Sequence, residues 1–306
     1  MNLITILGPT ATGKTKLAAD LALKYNGEII SADSRQVYRS MDIGTGKDLS
    51  EYKINGVLIP YHLIDIADPK EEFNLYLFIK YFNAAFDLIS SRQKVPFLVG
   101  GTGLYLDAVL RNYSMNEARK DEETLQYLNS LPVEELRQML LELNPECHNT
   151  TDLIHKERVI AAISVARGSA QNNPAPKSKI TSLVLGIHLE RSVIRERITV
   201  RLKKRLHSGM IEEVNQLVRS GVSFDKLDFF GLEYKFIGQY LQGKMNYNDM
   251  FQKLNSAIHG FAKRQMTWFR KMERSGIGIH WIEGPDFNKA SEVIDKYFLN
   301  NLQSPN

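Results

Sequence analysis

Cysteine is almost absent: Cys147 is the single one in 306 residues, so neither an intrachain disulfide nor a multi-cysteine zinc site can form, and a reducing compartment is expected. Long hydrophobic runs are missing as well. No uninterrupted apolar stretch approaches the roughly 20 residues that cross a bilayer, which argues against an integral membrane protein. The segment Met1 to Gly8 has neither a basic start nor a small-residue cleavage site, so no signal peptide is read and a cytoplasmic setting is expected. The seven histidines, including His62, His155 and His207, lack the paired spacing of a metal centre. No Ser-His-Asp or Cys-His arrangement can be inferred either. Strong charge of one sign is also lacking, since a net charge of +4 is too mild to declare a nucleic-acid partner without local clustering. What is present suits a soluble globular chain, 43% hydrophobic and 24% charged, with one large domain or a core plus an insertion. A monomer is the default expectation.

The N-terminal half reads as strands alternating with helices. Residues 3–7 form a buried-type strand, 14–25 have helical spacing, 28–32 read as a second strand, 76–90 as a helix and 95–99 as a third strand. This order predicts an α/β fold with a parallel sheet flanked by helices. Between Arg111 and Asp152 nine acidic residues face four basic ones, and the pattern becomes that of amphipathic helices, including 132–143. We read residues 112–180 as a helical insertion that closes with an exposed proline-containing segment at 168–178, and 1–111 with 181–306 as the core. A strand at 181–189 returns the chain to the sheet, and mostly helix follows.

Gly8-Pro9-Thr10-Ala11-Thr12-Gly13-Lys14-Thr15 matches the phosphate-loop pattern G-x-x-x-x-G-K-[ST]. Its backbone N–H groups wrap a diphosphate, the lysine neutralises it and the hydroxyl can ligate Mg²⁺. The match lies between a predicted strand and a predicted helix, the context the motif needs. The loop alone does not say whether a phosphoryl group is transferred or a diphosphate leaves intact, because the same cradle stabilises either charge.

Two further loops follow strands. Asp33-Ser34-Arg35-Gln36-Val37-Tyr38 offers a carboxylate that can act as general base, as an outer Mg²⁺ partner or simply as a turn or cap residue. Gly100-Gly101-Thr102-Gly103-Leu104-Tyr105 offers close backbone approach and one hydroxyl. Strand ends beside a phosphate loop are where ligands bind in open α/β sheets. Later, Arg197, Arg201 and Arg205 recur at four-residue spacing, either a solvated basic face or a guanidinium row for phosphate. The segment from Phe261 to Lys271 interleaves cations and aromatics. That combination suits single-stranded nucleic acid, although composition alone puts Trp268 and Phe269 in the core and the cations on the surface. Asp65 lacks the second acid of a metal-binding strand end and reads as structural.

Taken in order, the 8–15 loop, Asp33 to Tyr38, Asp42-Ile43-Gly44-Thr45, Tyr61-His62-Leu63-Ile64-Asp65, Gly100 to Tyr105 and Ala262-Lys263-Arg264-Gln265 resemble the tRNA dimethylallyltransferase family, bacterial type. The resemblance covers nearly the whole chain except the acidic insertion and the C-terminal tail, and implies a phosphate-loop NTPase-like α/β core with a helical insertion that contacts tRNA. It implies transfer of dimethylallyl from its diphosphate to N6 of the adenosine just 3′ of the anticodon, position 37, in tRNAs reading codons that begin with U. Mg²⁺ would be the cofactor, held by Thr15, and diphosphate the second product. The implied catalytic set is Asp33, Thr102, Arg201 and Lys14. Gly8, Pro9, Thr10, Ala11, Thr12, Gly13, Lys14 and Thr15, with Arg197 and Arg201, would hold the diphosphate. Implied tRNA contacts are Asp33, Ser34, Arg35, Gln36, Thr102, Lys156, Glu157, Arg158, Tyr234, Lys235, Lys263, Arg264 and Gln265. Two departures bear on tRNA choice: Ala161-Ala162 where an arginine is usual, and Gly231-Leu232-Glu233-Tyr234 in place of a glycine-tyrosine pair. The competing readings are a phosphate-loop kinase or isopentenyltransferase acting on a free adenine nucleotide, and a nucleotide-dependent RNA-binding switch.

Overall fold

The computed structural model describes residues 2–113, 122–143, 156, 159–160, 163 and 180–302. By internal contacts the chain forms two units, Met1–Arg111 with Ile180–Asn306, and Asn112–Lys179. Cys147, His155, Glu157, Arg158, Ala161, Ala162 and the 168–178 segment lie outside the described residues.

In the larger unit β1 (Leu3–Leu7), α1 (Lys14–Lys24) and β2 (Gly27–Ala32) come first. A 3₁₀ turn at Leu49–Tyr52 leads into the small ribbon β3 (Lys53–Ile54) and β4 (Val57–Leu58), then β5 (Tyr61–His62), α2 (Leu75–Ser91), β6 (Val95–Gly100) and α3 (Gly103–Leu110). The other unit contains α4 (Glu122–Ser130) and α5 (Val133–Leu143), where Leu128, Leu136, Leu140, Val159, Ile160 and Ile163 make a separate apolar cluster. The larger unit resumes with β7 (Ser182–His188), α6 (Arg191–His207), α7 (Met210–Arg219), α8 (Phe224–Phe229), α9 (Leu232–Leu241), α10 (Tyr247–Arg274), β8 (His280–Glu283) and α11 (Phe287–Leu302).

Six strands form one sheet in the order β5-β2-β6-β1-β7-β8, and every neighbouring pair is parallel. All five residues of β1 and all six of β2 are buried, which explains why these strands read as unbroken apolar runs rather than as alternations. Leu17, Leu21 and Ala22 of α1 cover the sheet beside Ile4, Ile29 and Phe97, in a core that reaches Ile294 on α11. Because the strands are parallel, the chain leaves β1, β2 and β6 at the same end of the sheet. The phosphate loop, the Asp33 loop and the glycine loop therefore meet there.

The helices that face this end show how the sequence aims them. Asn246 caps α10 by accepting from the Asp249 N–H at 2.9 Å. Its buried stripe then runs Met250, Leu254, Ile258, Ala262, Gln265, Phe269 and Met272, with one polar residue in an otherwise apolar row. The buried stripe of α6, Ile194, Ile198, Leu202 and Arg205, likewise holds a single exception. Both exceptions point to the site.

Candidate active site

The phosphate loop turns through left-handed backbone at Ala11 (φ 66°) and at Gly13 (φ 84°), the latter immediately before α1. A side chain at Gly13 would be strained whatever the free space. Thr12 Oγ1 donates to the Pro9 carbonyl at 2.9 Å and holds the loop's curvature from inside. The Lys14 ammonium lies 3.5 Å from the same carbonyl. Burial pushes its pKa down to about 8; Asp33 opposes the shift, and Arg201 adds to it. A half-buried cation held beside other cations is a site set up for an anion.

The three loops are fastened to one another by side chains. Gln265 Oε1 accepts from the Thr10 N–H at 2.8 Å and its Nε2 donates to the Gly101 carbonyl at 2.9 Å. Thr102 Oγ1 accepts from the Ser34 N–H at 3.1 Å, and the Thr102 N–H donates to the Ala32 carbonyl at 3.2 Å. Asp33 Oδ1 accepts from the Arg35 N–H at 2.9 Å, so the carboxylate is a turn-former and a lining group at once. Any side chain at Gly103 would meet the Trp268 ring, which lies over the start of α3.

These loops open onto a cavity of about 700 Å³ with α6, α9 and α10 on its other sides. Arg197, Arg201 and Arg205 all line it, so the row is not a solvated face. Arg201 donates to the Thr10 hydroxyl of the phosphate loop. Burial, then the neighbouring Arg205, pushes its pKa down to about 10. Arg205 pairs with Asp48 at 3.2 Å. Thr15 lines the same cavity with its hydroxyl unbonded to any described residue. Among the described residues no group of three or more His, Cys, Asp or Glu could hold a metal ion.

Some expected tRNA contacts are spent on the protein itself. Gln265 is buried with both ends of its amide bonded. Gln36 Oε1 accepts from the Ser31 hydroxyl at 3.0 Å and its Nε2 donates to the Gly46 carbonyl, also at 3.0 Å. Tyr234 is 1% exposed, and its hydroxyl donates to Glu213 at 2.8 Å. These three brace the site rather than present a free polar edge. Lys235 pairs with Asp228 at 3.4 Å, and Lys156, in the smaller unit, donates to the Asn129 carbonyl at 2.6 Å. Lys263 and Arg264 are exposed as expected, and the Arg35 guanidinium lies 4.6 Å over the Phe229 ring at the cavity wall. Of the two aromatics expected in the core, Phe269 is fully buried, whereas Trp268 lines the cavity. Asp65 is structural, as the sequence suggests: it accepts from the buried Lys47 ammonium, which Asp42 also holds at 2.6 Å.

Four charged lining residues had no place in the candidate set: Arg205, Asp48, Glu51 and Glu233. Arg205 was signalled by its spacing from Arg201. The acids gave no signal, since they lie on a loop and on the first turn of a helix where carboxylates are commonplace. Burial raises the pKa of both Glu51 and Glu233.

The family described as IPP transferase matches residues 36–272, and the family described as isopentenyl transferase matches residues 1–57. The chain is 54% identical over 295 residues to tRNA dimethylallyltransferase 1 of Geotalea uraniireducens, covering 96% of this chain and 97% of that one. It is 51% identical to tRNA dimethylallyltransferase 1 of Syntrophus aciditrophicus, covering 99% of each. Among solved structures, the full-length tRNA isopentenylpyrophosphate transferase of Bacillus halodurans superposes with a TM-score of 0.71 at 34% identity, covering 99% of this chain and 97% of that one. The chain therefore belongs to the IPP transferase family, the prenyl-transferring tRNA dimethylallyltransferases.

Proposed function

We propose that this enzyme transfers the dimethylallyl group of dimethylallyl diphosphate to N6 of adenosine 37, the residue 3′ to the anticodon, in tRNAs reading codons that begin with U. The observation that carries the reading is the meeting, in one cavity, of a phosphate loop, a carboxylate at Asp33 and the Arg197–Arg201 row. The first and third suit a leaving diphosphate and the second suits a proton acceptor.

In the reaction the bond between the allylic carbon and the diphosphate oxygen breaks, and a bond from N6 to that carbon forms. The N6 proton passes to the Asp33 carboxylate, and diphosphate leaves as an anion. An allylic carbon ionises readily once the departing charge is stabilised, so Lys14, Arg201 and the loop N–H groups act where negative charge develops. Asp33 then has only to orient a weak nitrogen nucleophile and take its proton. Thr102, bonded to the Ser34 N–H, keeps the Asp33 loop in register with the glycine loop. Arg197 extends the phosphate-binding row.

Mg²⁺ fits the residues present. Thr15 offers one unbonded hydroxyl beside the phosphate loop, and Mg²⁺ is commonly bound by few protein oxygens plus substrate phosphates and water. When bound it would supply further neutralisation of the diphosphate.

The acceptor is the anticodon stem-loop, and chemistry on N6 requires the base to leave its stack. The exposed Lys263 and Arg264 on α10 supply phosphate contacts, and Arg35 and Ser34 line the approach. We take the enzyme to act as a cytoplasmic monomer; no described helix is long and apolar enough to cross a membrane. The deciding experiment follows labelled dimethylallyl from its diphosphate to unmodified tRNA with Mg²⁺, with ATP as a competing donor and Asp33→Ala as control. Label on the adenosine beside the anticodon supports the reading; folded, tRNA-binding protein that transfers no label overturns it.

A further inference from the structure

We propose that Glu213, which lies outside the candidate set, is a positioning residue that fixes the diphosphate end of the cavity through Arg205; the inference rests on the prenyl-transfer reading. One carboxylate on α7 collects four donors. Its Oε2 accepts from the N–H groups of Asp42 and Ile43 at 2.8 and 2.6 Å, and its Oε1 from Gly44 N–H at 3.0 Å and Tyr234 Oη at 2.8 Å. Three consecutive backbone donors turned to one side chain are the arrangement by which a loop grips an anion, and here the anion belongs to the protein.

What the grip holds is the wall of the site. The segment from Asp42 to Asp48 carries Gly44, Thr45, Gly46 and Asp48 into the cavity lining. Its inner surface is the seat of Arg205: a Cβ at Gly46 would stand 1.7 Å from an Arg205 nitrogen, and Asp48 pairs with the same guanidinium at 3.2 Å. Tyr234 extends the grip, because its ring fills the space that a side chain at Gly44 would need. Arg205 is 8% exposed and faces the phosphate-loop end, close enough to lower the pKa of both Lys14 and Arg201. Glu213 is thus joined to Arg205 by one short segment, and substrate need not touch it.

The test is a double-mutant cycle read by binding of inorganic diphosphate with Mg²⁺, measured calorimetrically on the full chain, with thermal unfolding recorded for each variant. Glu213→Gln and Arg205→Lys should each weaken diphosphate about tenfold, the scale of one charged hydrogen bond. In the Arg205→Lys background Glu213→Gln should weaken it no further, since two residues on one path do not add. Tyr234→Phe removes one donor of the four and should show a smaller loss with the same dependence on Arg205, which keeps the test decisive if Glu213→Gln does not fold. Unchanged diphosphate binding in Glu213→Gln, or penalties that multiply in the double variant, would overturn the proposal. A wild-type chain that fails to bind diphosphate would instead overturn the prenyl-transfer reading beneath it.

Discussion

Gln265, in the middle of the buried stripe of α10, joins the phosphate loop to the glycine loop: its carbonyl oxygen takes the Thr10 N–H at 2.8 Å and its amide nitrogen meets the Gly101 carbonyl at 2.9 Å. Both partners are backbone groups, so the brace is read by shape and polarity together. Gln265→Glu keeps the shape and inverts one end, placing a carboxylate oxygen against the Gly101 carbonyl. We expect Gln265→Glu and Gln265→Ala to lose stability by about 1–3 kcal/mol, the cost of buried polar groups left unpaired, and to weaken diphosphate binding in parallel. Chemical denaturation and diphosphate titration of the same samples check this.

Asp33 forms its own turn by accepting from the Arg35 N–H, and in the proposed reaction it is the proton acceptor. Asp33→Ala should lower turnover by roughly 10²–10⁴, the usual contribution of a general base, while leaving tRNA affinity within a few-fold of wild type. Single-turnover kinetics beside equilibrium tRNA binding separate the two quantities. Equal losses in both would show that Asp33 holds the RNA instead.

Lys14 makes donor binding depend on pH. Its pKa in the ligand-free protein is lowered to about 8 by burial, so the charge that attracts diphosphate is present below that value and is lost as the pH rises through it. A bound polyanion favours the charged form. Diphosphate affinity should therefore fall above about pH 8, and binding near pH 8–9 should take up protons. Calorimetry in buffers of different ionisation enthalpy measures the uptake, and Lys14→Met should abolish it.

Thr102 is expected to act through its hydroxyl oxygen as an acceptor for the Ser34 N–H. Thr102→Ser keeps that oxygen and should retain most activity. Thr102→Val keeps the shape but orphans a part-buried donor, and should lower kcat by about tenfold or more, since that penalty is of order 1–3 kcal/mol. The pair of variants distinguishes loss of a hydrogen bond from loss of bulk.

Lys263 is exposed on α10, two residues from Gln265, and has no part in the brace. Lys263→Ala should weaken tRNA binding at low salt and reduce the slope of log affinity against log salt by about one phosphate contact's worth, roughly 0.7–0.9. Filter binding across a salt series checks it, and an unchanged slope would remove Lys263 from the RNA face.

The parts of the molecule legible in the sequence are those whose cause is local. Residues 3–7 read as strand because a parallel strand buried on both faces is apolar throughout, and Gly8 to Thr15 reads as a phosphate loop because its glycines and lysine answer to backbone geometry and charge. Arg201 was visible in its four-residue row, but spacing left that row open between a solvated face and a phosphate-binding one, and its role came only from the resemblance. Gln265 and Tyr234 were visible as residues but not in their roles, because a polar group in a helix carries no sign of whether its partner is a ligand or another loop. Glu213 and Asp48 were silent for the same reason: a carboxylate on an amphipathic helix or in a turn ordinarily faces water, and only tertiary placement gives each its partners.

The place of β1 in the sheet also dictates an order of events. The first strand made lies between β6 and β7, and its Leu3 to Leu7 pair with 182–186, nearly two hundred residues later. While the ribosome is still translating the insertion, one edge of β1 has no neighbour, and its five buried residues form an apolar strand waiting for its last partner. Synthesis at about 5–20 residues per second makes that interval several seconds or more. The nascent core thus passes through a stage in which the phosphate loop can already be formed while its sheet is still open to mispairing.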